Sequence, residues 1–117
     1  MTLPEVFNFV ETAGTLTRGT NFFEGYLPEG DREGVALRTA RKVDVQNQLE
    51  SDIIIVDVVY KSYIYADTLS DTIFNALKTQ RGLGPVWTIV GTITKDHLGI
   101  DDLRRNVFEI RFSITHY

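Results

Sequence analysis

The chain has 117 residues, 43% hydrophobic and 24% charged, a balance near that of average globular domains, which excludes a disordered or collagen-like polymer. Sixteen acidic residues against twelve basic ones give a net charge of −4. That argues against a dedicated duplex-binding protein, since phosphate neutralisation needs a concentrated excess of Lys and Arg. No cysteine is present, so a disulfide framework, a thiolate nucleophile and a cysteine zinc site are all excluded. The length fits one domain, 1–117.

Met1-Thr2-Leu3-Pro4-Glu5 carries an early acid and no basic stretch, unlike a secretory signal. Thr2 and Glu5 fit a capping box, with Pro4 tolerated in the first turn. Leu3, Val6, Phe7 and Val10 then fall at helical spacing, predicting a helix near 3–13 with Gly14 as its stop. Residues 15–34 read as irregular, punctuated by Gly19, Gly25, Gly30, Gly34 and Pro28. Within them, 21–27 suits a short edge strand broken by a glycine.

From Val35 to Val43 the chain reads as extended, with Leu37, Thr39, Arg41 and Val43 on one face and Ala36, Arg38, Ala40 and Lys42 on the other. Residues 44–51 are polar and aperiodic, which predicts a long hairpin loop. The next strand, 52–61, is the strongest: Ile54, Val56, Val58 and Tyr60 share one face, and Ile53, Ile55, Asp57, Val59 and Lys61 the other, wetter one. Its run Ile53-Ile54-Ile55-Val56 is far short of the roughly 20 apolar residues of a membrane helix, so no membrane role is expected. Ala66, Leu69, Ile73 and Leu77 form an apolar stripe at helical spacing, predicting a helix over 63–81 that Gly82 and Pro85 end. Strands follow over 86–95 and 105–117, with 96–104 as a long connection. The order implies an α+β fold: a mostly antiparallel sheet of four to five strands with two helices packed on one face.

Chemistry-bearing patterns are sparse. The two histidines, His97 and His116, stand in no metal-ligand spacing, and Asp96, His97, Asp101 and Asp102 read as a solvated acidic loop. None of the four serines sits in a Gly-x-Ser-x-Gly elbow. Neither 14–20 nor 82–85 carries the Gly-Lys-Ser/Thr of a phosphate loop. No catalytic residue, cofactor or metal is expected. The short, glycine-broken strand, a hairpin outrunning the core, and the apolar residues Ile53, Ile55, Val59 and Val107 on the wetter face point instead to oligomerisation.

Four local patterns carry a family resemblance. Gly19-Thr20-Asn21-Phe22-Phe23-Glu24-Gly25-Tyr26-Leu27-Pro28 follows a short first helix. The strand Ile53–Tyr60 leads at once into Tyr63-Ile64-Tyr65-Ala66-Asp67-Thr68-Leu69. After the helix comes a strand bearing Trp87. Last, Asp101-Asp102-Leu103-Arg104-Arg105-Asn106-Val107-Phe108-Glu109-Ile110-Arg111-Phe112 forms an acidic, arginine-bearing turn into the final strand. With these the chain resembles the tail-terminator and minor-capsid (tail-completion, head–tail joining) proteins of long-tailed bacteriophages.

That resemblance implies a virion protein that forms a homo-oligomeric ring, usually of six copies, capping the tail tube. The ring meets the head-completion or connector protein, and genomic DNA passes through its lumen without specific readout. The place implied is the tail–neck region of the virion, after assembly in the bacterial cytoplasm. Phe22, Phe23, Tyr26, Arg104, Arg105 and Arg111 are then the candidate interface residues, since aromatics and arginines dominate protein contacts. The alternatives are another neck or tail-tube ring component, or a small cytosolic nucleic-acid-associated domain using Arg38, Arg41 and Lys42.

Overall fold

The computed structural model describes residues 3–44, 50–79 and 88–116, with the backbone alone described at 3–4, 41–44, 50–51, 88–92 and 115–116. Helix α1 (Leu3–Gly14) is followed by strands β1 (Phe22–Glu24), β2 (Gly34–Asp44) and β3 (Glu50–Tyr60). Helix α2 (Tyr63–Thr79) and strands β4 (Thr88–Ile100) and β5 (Asn106–His116) complete the order. The sheet runs β1-β2-β3-β5-β4. Every pairing is antiparallel except β1 on β2, so the expected α+β architecture with a mostly antiparallel sheet is what the chain adopts. Thr2, the segment 80–87 with its Gly82–Pro85 stop and Trp87, and most of the expected 44–51 loop lie outside the described residues.

Both helices contribute to one apolar core on one face of the sheet. Val6, Phe7 and Val10 of α1 and Ala66, Leu69, Ile73 and Leu77 of α2 join Leu37, Ile54, Val56, Val58, Phe108, Ile110, Phe112 and Ile114. These are the residues that helical and alternating spacing select. Ser62 starts α2: its hydroxyl accepts from the Tyr65 N–H at 3.2 Å, and its carbonyl from the Ala66 N–H at 3.0 Å. Phe7 stacks on Phe22 with ring centroids 4.1 Å apart, tying the first helix to β1.

The end of α1 differs from expectation. Gly14 remains in the helix, and Thr15 supplies the left-handed turn, with φ 52°. A closing bond from the Leu16 N–H to the Glu11 carbonyl (2.9 Å) completes that end. At Gly14 the space rather than the φ is constrained, since a Cβ there would stand 3.0 Å from the Leu16 side chain.

β4 also departs from the sequence reading. It continues through Asp96, His97, Leu98 and Gly99 to Ile100, so the expected 96–104 connection shrinks to a turn. Two irregularities accommodate the extra length, one between Gly91 and Thr94 and one between His97 and Gly99. Gly99 has φ 113°, a conformation that leaves side-chained residues strained, and it lets the chain bulge beside Val107. At the first irregularity the strand changes phase: Gly91 pairs with Ser113 and, three residues on, Thr94 with Arg111, which turns Ile93 to the core and sets Lys95 opposite core-facing Ile110.

Candidate assembly surfaces

The face of the sheet away from the helices is where the structure concentrates unusual features. Sequence reading takes it as the wetter face with exposed Ile53, Ile55, Val59 and Val107. The structure corrects this: Ile55 and Val59 are 5% and 6% exposed, and Ala36 beside them 1%, although both described helices pack into the core on the opposite face. Charged side chains and an overhanging loop shield them instead. Arg38 bonds Asp57 across β2 and β3, and Arg111 meets Glu109 at 3.2 Å. The register aligns Asp57, Glu109 and Asp96 in one row across β3, β5 and β4, with Arg38 and Arg111 two positions along.

At one end of this face lies an open groove of about 340 Å³. Ala36, Val59 and Val107 line its floor, and Arg38, Asp57 and Glu109 its charged end. Its rims are Tyr26 with Leu27 on the β2 side and Leu98 on the β4 side. Tyr26 and Leu98 are 72% and 58% exposed. The Arg38 guanidinium lies 4.7 Å from the Tyr26 ring, holding that rim in place. Gly34 makes the overhang possible: a Cβ there would stand 3.0 Å from the Asn21 carbonyl oxygen and 3.3 Å from the Leu27 side chain. Leu98 is the extra residue of the second β4 bulge.

The helix side carries a contrasting projection. The first turn of α2 exposes Tyr63, Ile64 and Tyr65 at 51%, 77% and 52%. Tyr63 packs edge-on against His97 (5.3 Å) and at a tilt against Phe108 (5.6 Å), while Tyr65 packs edge-on against Tyr60 (4.6 Å). The tyrosines are thus braced against the body, leaving Ile64 outermost. Burial, then neighbouring Tyr65, push the Tyr60 hydroxyl up to about 12, so it stays protonated at ordinary pH.

Both projection and groove lie near a well-tied end of the molecule. Asp101 accepts from the Leu103 and Arg105 N–H groups at 3.0 and 2.9 Å and from the Arg105 side chain at 2.8 Å. Burial works to raise the Asp101 carboxyl, but the bonds from Arg105 outweigh it and hold it below its usual range. Arg105 also donates to the Arg32 carbonyl, and Lys61 reaches Asp31 at 2.6 Å, so the acidic loop before β2 is fastened down. Asn106, buried, donates to the Lys61 carbonyl at 2.9 Å.

Against this geometry the expected interface residues divide. Phe22 is corrected from interface to core, because at 1% exposure under Phe7 it has no surface to offer. Arg105 is engaged internally, so its part is to hold the turn. Tyr26, Phe23, Arg104 and Arg111 retain accessible surface, and Tyr26 is part of the groove. Arg38 is spent on Asp57 and Tyr26, while the side chains of Arg41 and Lys42 lie outside the described residues. Leu98 and the 63–65 turn are absent from the expected interface residues, because in the sequence they read as a connection and as the opening of a helix.

The sheet edges are guarded. β1 covers only Val35 to Leu37 of β2, and β4 is the outermost strand at the other side of the sheet among the described residues. Yet β4 is twice irregular, and its Lys95 points inward to Asp67 (2.7 Å) and Asp71 of α2. Bulges and inward charges are how sheets avoid edge-to-edge pairing. Among the described residues no group of three or more His, Cys, Asp or Glu gathers as a metal set, and no helix is long and apolar enough to cross a membrane.

No protein-family model matches the chain, and no curated protein matches it. Its fold is similar to that of a chain in the virion of a native gene transfer agent particle, with a TM-score of 0.60 and 10% sequence identity. The likeness covers 92% of this chain and 83% of that one.

Proposed function

We propose that this chain is a structural virion protein whose copies form a ring that caps a phage tail tube and joins it to the neck connector. The observation that carries the reading is the fold likeness to a virion chain across 92% of the sequence. The surface chemistry supports it. The polar groups of the groove are satisfied by one another, which leaves apolar rims to contact another protein and little to orient a polar substrate. A nucleic-acid-binding role loses force because Arg38 is already bound to Asp57. In this role function rests on interfaces rather than catalysis, and a net charge of −4 keeps the ring from gripping DNA that moves through it.

The test is to purify particles from a host carrying this gene, quantify the chain by mass spectrometry and image the tail–neck junction. Several copies per particle in a ring at the head-proximal end of the tail are expected. Absence from particles, or one copy per particle, would sink the reading.

A further inference from the structure

Groove and projection are chemically matched, yet they belong to opposite faces of the same sheet. The groove is apolar between its rims, and its charged end carries two carboxylates (Asp57, Glu109) and one guanidinium (Arg38), with Asp96 next to Glu109 in the adjoining strand, outside the lining. Asp96 is exposed and makes no ion pair among the described residues. The projection is apolar at Ile64 and sits on a helix N-terminus, the positive end of the helix dipole. The first turn of α2 contains no acidic residue to offset that field. The unpaired carboxylate of Asp96 beside the groove therefore puts negative charge where the partial positive charge of the projection would come.

We propose that the occupant of the groove is a second copy of this chain, with its Tyr63-Ile64-Tyr65 turn seated between the Tyr26–Leu27 and Leu98 rims. The proposal rests on the ring reading above and names the contact that would build the ring. Two different surfaces meet, so the contact is heterologous: each copy gives its projection to one neighbour and its groove to the other. Such a contact closes into a ring when the rotation between neighbours divides a full turn. Bracing of Tyr63 and Tyr65 against His97, Phe108 and Tyr60 leaves fewer rotamers to freeze on docking. The guarded β4 edge fits the same scheme, because association then runs through faces and not through strand pairing.

The cysteine-free sequence allows a direct trap. In purified protein under mild oxidation, the double variant Ile64→Cys/Tyr26→Cys should give a ladder of disulfide-linked copies that ends at one size. Each single variant should remain uncrosslinked, since its cysteine meets none on the neighbour. The sheet between the two positions bars a link within one chain, given the short reach of a disulfide. Dimers from either single variant would show a self-matched contact and overturn the proposal, as would a double variant that stays monomeric on the gel. Particles that still show a ring of copies alongside a negative trap would overturn this seating while leaving the ring reading in place.

Discussion

Arg104 holds a left-handed backbone, φ 61°, in a turn where glycine would sit without strain. Its side chain is exposed, and its backbone N–H is bonded to the Asp101 carbonyl at 3.0 Å, so the fold does not need the guanidinium there. Arg104→Gly should therefore hold or raise stability, by about 0.5–1 kcal/mol in urea unfolding with an unchanged m-value. Arg104→Ala keeps the strain and lacks that gain. If the arginine serves a partner, both variants lower the yield of complete particles; full yield from both would remove Arg104 from the interface. The two adjacent phenylalanines make the complementary case. Phe22→Ala should cost about 3–5 kcal/mol, because it empties a core site stacked on Phe7. Phe23→Ala, at a half-buried site near Arg32, should cost much less in the same unfolding measurement and act on assembly instead. A three-residue strand shows too little alternation for sequence to tell which ring turns inward. Tertiary packing against α1 decides it.

At the scale of elements, long periodic segments were readable and their junctions less so. The stripe Ala66, Leu69, Ile73 and Leu77 and the alternation of Phe108, Ile110, Phe112 and Ile114 are both buried as spacing dictates. Asp96-His97-Leu98-Gly99 looks like a connection because its polar and glycine content hides a bulged strand. The stabilising partners of Lys95, Asp67 and Asp71, lie 28 and 24 residues away and leave no local signal. The β4–β5 turn reads from sequence as acidic and solvated, yet Asp101 organises it. Its carboxyl lies below the ordinary value of 3.8 in the folded chain, so its contribution is complete above that pH and is lost as pH falls through the lower folded value. Asp101→Asn should thus lower the melting temperature at neutral pH, and the gap to the parent protein should close as the solution is acidified below 3.8. A gap that stays constant from neutral to strongly acidic solution would show that the carboxylate charge is not what holds the turn.

For the whole molecule, the layer arrangement was legible but the groove was not. It needs the register of β2, β3 and β5, the overhang allowed by Gly34 and the bulge that presents Leu98, and no linear pattern contains all three. A heterologous scheme also makes a demand on mixtures that a self-matched one does not. Ile64→Asp disables the projection and leaves the groove, while Leu98→Asp adds a carboxylate to the groove rim and leaves the projection. Both sites are exposed, at 77% and 58%, so each variant should fold with stability within about 0.5 kcal/mol of the parent. Alone, neither offers a working pair of surfaces, and each should sediment as a monomer at concentrations where the parent associates. Mixed, one copy's intact projection meets the other's intact groove, which permits a single contact. The remaining surfaces of that pair are both disabled, so growth stops at a heterodimer. Sedimentation velocity of an equimolar mixture should show that dimer and nothing larger. Rings in the mixture, or no association where the parent associates, would mean that neighbours meet through other surfaces.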